Sequence, residues 1–144
     1  MSATRSARIT RVRQGLKAVV LGATGAVDLA GLAHSPFAGA TAVTAAGFLL
    51  AAVAYADVAV LNTGSRPRNG LRAGLLLVAS ALLAGGTFAE ATTAPAAGSR
   101  GAVAAGLLGF LVVAGGAAVR LWQVTRRGAL APDPGRRVGR SAGA

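Results

Sequence analysis

Four apolar runs constrain what this chain can fold into: residues 16–33, 38–61, 71–89 and 102–122, separated by short polar breaks. At about 1.5 Å per residue, helices of 18 and 24 residues are about 27 and 36 Å long, against a hydrocarbon core of about 30 Å. In such a core no water is available to the backbone, so a segment that closes its own hydrogen bonds as a helix is the form that crosses. The expected fold is therefore all-α, an integral membrane bundle of four transmembrane helices.

Composition points the same way. Charged residues make up 13% of the 144 and hydrophobic ones 53%, whereas soluble domains carry roughly a quarter charged residues to coat a water-facing surface. The net charge of +11 would fit nucleic acid if the bases formed a face on a soluble fold with aromatic or groove-reading residues. Instead they sit in short blocks between the apolar runs, so no nucleic-acid partner is expected. The partners expected are the lipid bilayer and either further copies of the chain or another membrane protein.

The placement of the bases gives an orientation. Arg5, Arg8, Arg11, Arg13 and Lys17 precede or open the first run, Arg66, Arg68 and Arg72 lie between the second and third, and Arg120, Arg126, Arg127, Arg136, Arg137 and Arg140 close the chain. Arg100 alone falls on the other face. Because Lys and Arg accumulate on the cytoplasmic side, both termini and residues 62–70 are expected in the cytoplasm, N-in and C-in, with residues 90–101 outside. The membrane expected is the plasma or inner membrane. Residues 1–15 read as a basic cytoplasmic lead that can rest on the surface through Ile9 and Val12, together with Leu16. Residues 123–144 read as a disordered basic tail. A basic lead, an apolar stretch and Gly31, Leu32, Ala33 also match the outline of a cleaved signal peptide, which Asp28 and the length of the lead argue against. Tyr55 and Trp122 fall near the cytoplasmic boundary, where amphipathic rings anchor a helix among headgroups.

Small residues recur every fourth position at Ala18, Gly22, Ala26, Ala30, at Ala81, Gly85, Ala89, and at Gly101, Ala105, Gly109. Such stripes let helix backbones approach closely in lipid, within one subunit or between copies.

The four acids are Asp28, Asp57, Glu90 and Asp133, and three of them lie in or at the end of an apolar run. A charge in hydrocarbon is costly unless paired or hydrated. Asp57 stands four residues, about 6 Å, before the end of its run, level with Arg72 and Arg120, and these three are expected to form a structural ionic cluster. Asp28 lies near the middle of the first run with no base at its depth. Held as a neutral acid, it would donate a hydrogen bond to Thr24, Thr41, Thr44, Thr87 or a backbone carbonyl; otherwise it is the candidate for coupling proton or cation movement. Glu90, His34 and Arg100 mark the outer ends of their segments, in reach of water.

Chemistry of other kinds lacks its residues. There is no cysteine, and His34 is the single histidine, so thiolate sites, bis-His haem ligation and a His-rich metal site are excluded. No phosphate-binding glycine loop, nucleophile elbow or pair of catalytic carboxylates is present. No cofactor, metal or enzyme activity is expected. The sequence supports a non-enzymatic subunit, assembly factor or scaffold, and as an alternative an oligomeric small-solute or ion transporter working through Asp28.

Overall fold

The computed structural model describes residues 2–35, 38–61, 66–93 and 100–129. The loop residues 62–65 and 94–99 and the tail residues 130–144 named above lie outside the described residues. The architecture is all-helical: α1 (Ser2–Gly31), a single 3₁₀ turn (Leu32–His34), α2 (Ala38–Leu61), α3 (Arg66–Thr93) and α4 (Arg100–Ala129). Each helix is long and apolar enough to span a membrane. Ser35, which precedes Pro36, takes extended backbone at φ −89° and ψ 126°, the conformation a following proline ring imposes by crowding the residue before it.

The helices outrun the apolar segments. α1 begins at Ser2, so the basic lead is a continuation of the first apolar helix. α3 begins at Arg66, within the expected loop, because Pro67 sits in a first turn whose N–H groups have no intrahelical acceptor to lose. At its far end α3 continues through Thr93, where Thr92 and Thr93 hydroxyls donate back to the carbonyls of Phe88 and Ala89. α4 starts at Arg100 and runs on past Trp122 to Ala129, with Arg126 near the partial negative charge of its C-terminal end.

The close approaches set the topology. Gly15, Gly22 and Gly25 of α1 face Ala59, Ala52 and Ala45 of α2, so these two helices are antiparallel. Gly47 faces Ala79 and Leu83, and Gly86 faces Ala40 and Thr44, which makes α2 and α3 antiparallel as well. Gly106 meets Thr87 and Gly116 meets Leu76, so α4 reverses again, while Gly109 on Phe48 and Gly116 on Tyr55 set α4 parallel to α2. The result is an up-down-up-down bundle. The start of α1, the end of α2, the start of α3 and the end of α4 share one end, called the basic end below.

The core is built on α2 and α3. Phe48, Ala51, Ala54 and Tyr55 pack on Leu76, Ala79 and Leu83, with Leu21, Val113 and Ala117 added from the flanking helices. Half of the spanning stretch of α2 is buried and 44% of that of α3, against 22% for α4 and 11% for α1. α1 lies on α2 and α4 lies on α3, but α1 and α4 have no comparable contact with each other.

The small-residue stripes are only partly the faces in contact. On α1 the approach is made by Gly15, Gly22 and Gly25, with Ala18 against the core, while Ala26 and Ala30 are exposed. On α3, Ala81 and Gly85 are exposed and the contact falls on Gly86. On α4, Gly101 and Ala105 are exposed, and Gly106, Gly109 and Gly116 receive their neighbours.

Candidate functional site

Most of the basic side chains among the described residues gather at the basic end. The short connection between α2 and α3 brings Asp57 opposite Arg72, and the Arg72 Nε donates to Asp57 Oδ2 at 2.5 Å. The same guanidinium donates from one Nη to the Asp57 carbonyl oxygen at 3.3 Å and from the other to Asn69 Oδ1 at 3.5 Å. Asn69 stands one turn before Arg72 on α3, the spacing that places two side chains side by side on a helix. Arg72 is 3% exposed and Asp57 31%, so the cation is removed from solvent and held by at least three acceptors, the condition under which a buried charge is tolerated.

Of the three residues expected to cluster, Asp57 and Arg72 pair directly with Asn69 in support, while Arg120 makes no ion pair with Asp57 among the described residues and lies close enough to Arg72 for their charges to interact. The physical reason is lateral: α2 and α3 are neighbours, whereas α4 reaches α2 mainly through Gly109 and Gly116. Arg120 lines a cavity of ≈ 700 Å³ between α1 and α4, together with Arg13, Gln14, Lys17, Tyr55 and Gln123.

Tyr55 forms part of the wall of that cavity. Its ring is buried at 3% exposure, its hydroxyl donates to the Val112 carbonyl of α4 at 3.2 Å, and Lys17 Nζ lies 5.2 Å from the ring centroid, within cation–π range. This differs from the headgroup anchor expected of it: its polar tip is satisfied inside the bundle. Gly116 makes the placement possible, since a methyl group there would collide with the Tyr55 hydroxyl. Trp122 is exposed, with the Arg126 guanidinium 4.1 Å above its ring.

The cavity continues along the bundle into a second one of ≈ 410 Å³, whose lining is almost wholly apolar. Lys17 and Val112 belong to both linings. The two form one groove between α1 and α4, with cations at the basic end and Leu16, Val20, Leu21, Phe48 and Leu108 beyond.

Asp28 is half-buried on α1 and has no hydrogen-bond or ion-pair partner among the described residues. Three of the hydroxyls expected to meet it, those of Thr24, Thr41 and Thr44, are engaged elsewhere. Thr24 donates to the Val20 carbonyl at 2.9 Å and Thr44 to that of Ala40 at 3.1 Å, the usual recourse of a hydroxyl on a helix in apolar surroundings. Thr41 pairs with Ser35 at 3.2 Å. Thr87 Oγ1 is buried without a partner, against Gly106 of α4. At the end of the bundle opposite the basic one, Glu90 is 8% exposed while His34 and Arg100 are exposed. Among the described residues no three His or acidic side chains converge where a metal ion could sit.

Sequence reasoning missed Arg13, Gln14, Asn69 and the groove itself. A usable signal was present: Lys17, Tyr55 and Arg120 each lie near the end of an apolar run on the same predicted side. No family model matches the chain, and no curated protein or solved structure matches it.

Proposed function

We propose that the chain is a non-enzymatic membrane protein, a subunit, assembly factor or scaffold of the plasma or inner membrane, with both termini cytoplasmic. The observation that carries this reading is the division of burial. α1 and α4 flank the core without packing on each other, and their spanning stretches are only 11% and 22% buried. Two of four helices thus keep most of their surface for contacts outside the chain, which in lipid are made by close packing rather than by a hydrophobic gradient. The buried Arg72 charge, in contrast, is held by Asp57 and Asn69, and neither Arg72 nor Asp57 lines the cavities between α1 and α4. The gathering of Arg13, Lys17, Arg72 and Arg120 at one end supports a cytoplasmic placement of that end.

Asp28, a half-buried carboxyl with no partner among the described residues, favours a second reading as an oligomeric small-solute or ion transporter. That reading carries less weight because Asp28 lines neither cavity of the α1–α4 groove.

The chain contains no cysteine, so single-cysteine cross-linking in native membranes is direct. Val19→Cys on α1 and Leu107→Cys on α4, both exposed, are expected to cross-link to a partner or a second copy, and the full chain is expected to leave mild detergent as a discrete complex. A lone monomer with no cross-link at either position would overturn the subunit reading. Proton-coupled flux in liposomes that is lost in Asp28→Asn would establish the second reading instead.

A further inference from the structure

We propose that the groove between α1 and α4 is a binding site for an anionic phospholipid with a glycerol headgroup, its phosphate held by Arg13, Lys17 and Arg120. The inference rests on the membrane reading above and concerns a lipid rather than a protein partner.

Charge comes first. Arg13, Lys17 and Arg120 line the wide end of the groove, and Lys17 feels the charges of both Arg13 and Arg120. None of the three acids among the described residues, Asp28, Asp57 and Glu90, lines either cavity, and Asp57 is taken by Arg72. Three cations drawn together at the edge of a low-dielectric region repel one another, and an anion among them turns that repulsion into attraction. Basic pockets between spanning helices on the cytoplasmic side are suited to anionic headgroups for this reason.

Shape supplies the second element. A free phosphate would use only the basic end, yet the groove continues past Lys17 along Leu16, Val20, Leu21, Phe48 and Leu108. From Leu16 to Thr24 the lining follows α1 for about 12 Å, close to the ~15 Å of one leaflet's hydrocarbon. Leu16, Val20 and Leu108 are each more than half exposed, so the groove is open to the side and a lipid can enter from the bilayer.

The third element concerns the headgroup. Gln14 lines the basic end and its Oε1 is buried without a hydrogen-bond partner among the described residues. An ionised phosphate brings acceptors only, whereas a glycerol hydroxyl can donate to this oxygen. Phosphatidylglycerol-type chemistry therefore satisfies both the cations and Gln14.

The test is native mass spectrometry of the full chain released from nanodiscs holding equal phosphatidylglycerol and phosphatidylcholine. One phosphatidylglycerol per chain is expected to be retained, and excess inorganic phosphate is expected not to displace it. The variant Arg13→Gln, Lys17→Gln, Arg120→Gln is expected to lower retention on the order of a hundredfold, from the loss of three bases near an anionic headgroup. The variant Arg5→Gln, Arg8→Gln, Arg11→Gln removes the same charge outside the groove and is expected to leave retention unchanged. Equal loss in both variants, equal retention of phosphatidylcholine, or lipid excluded by a second copy seated in the groove would each overturn the proposal. In the unsubstituted chain, a phosphatidylglycerol analogue with a photoreactive acyl chain is expected to label residues 16–24 and 105–112. Labelling concentrated instead at Leu77, Val78 and Phe88 on the outer face of α3 would overturn it independently of any variant's folding.

Discussion

Arg72 concentrates the residue-scale physics of this protein. A guanidinium at 3% exposure is stable there because Asp57 supplies a carboxylate and a carbonyl oxygen and Asn69 supplies a third acceptor. Removing one partner of a buried pair costs more than removing both, because the survivor is left desolvated and uncompensated. Arg72→Met is therefore expected to destabilise the bundle by about 3 kcal/mol, the lower end of the range for buried pairs, since Asp57 keeps 31% of its exposure. Arg72→Met with Asp57→Asn is expected to recover part of that loss in thermal unfolding in detergent; a double variant no more stable than Arg72→Met would mean the two side chains are not coupled. The sequence showed that Asp57 needed a base at its depth and offered Arg72 and Arg120 at that level. Choosing between them required knowing which helices are neighbours, and a depth along the helix axis carries no lateral information.

At the scale of elements, the number and type of the helices were legible, since length and hydropathy are properties of a single segment. Their ends were less so. Pro67 and the stretch from Glu90 to Thr93 read as loop, yet the first proline-tolerant turn and the back-bonding threonines extend α3 at both ends. The contact faces were the least legible. Ala81, Gly85 and Ala89 have the spacing of a packing stripe, but the helix turns Gly86 toward Thr44 and leaves Gly85 in open space. The neighbouring glycines give a clean comparison. Gly86→Ala drives a methyl group into the Thr44 hydroxyl and toward the Ala40 carbonyl oxygen, and is expected to destabilise by about 1–3 kcal/mol, as overpacking does. Gly85→Ala is expected to be neutral or stabilising by up to ~1 kcal/mol, the helix-propensity gain over glycine. Unfolding both variants in the same detergent checks the assignment of the face, and equal effects would contradict it.

For the whole molecule, the up-down-up-down topology places the starts of α1 and α3 and the ends of α2 and α4 together, with Arg13, Lys17, Arg72 and Arg120 among them. If that end faces the cytoplasm, cysteines introduced at Ser2 and at Ser65 are expected to resist a membrane-impermeant thiol reagent in intact cells. A cysteine at Ser99 is expected to react; labelling of the first two and protection of the third would reverse the orientation. The open flank between α1 and α4 is the feature that no reading of separate segments supplied. What the sequence determined by itself is an all-helical chain of four segments long and apolar enough to span a membrane, with its bases in blocks between and beyond them. Each of these follows from local rules: a helix satisfies its own backbone, and hydropathy sums along a window. The tertiary structure alone decided which glycines receive a neighbour, which arginine meets Asp57, and that α1 and α4 stand apart around a basic-to-apolar groove. The reason is that lipid is as apolar as the bundle interior, so no hydrophobic gradient marks the buried face of an Ala- and Gly-rich helix. Packing there is settled by dispersion contacts a few tenths of an ångström from optimal, and those depend on the shapes of side chains brought from other helices.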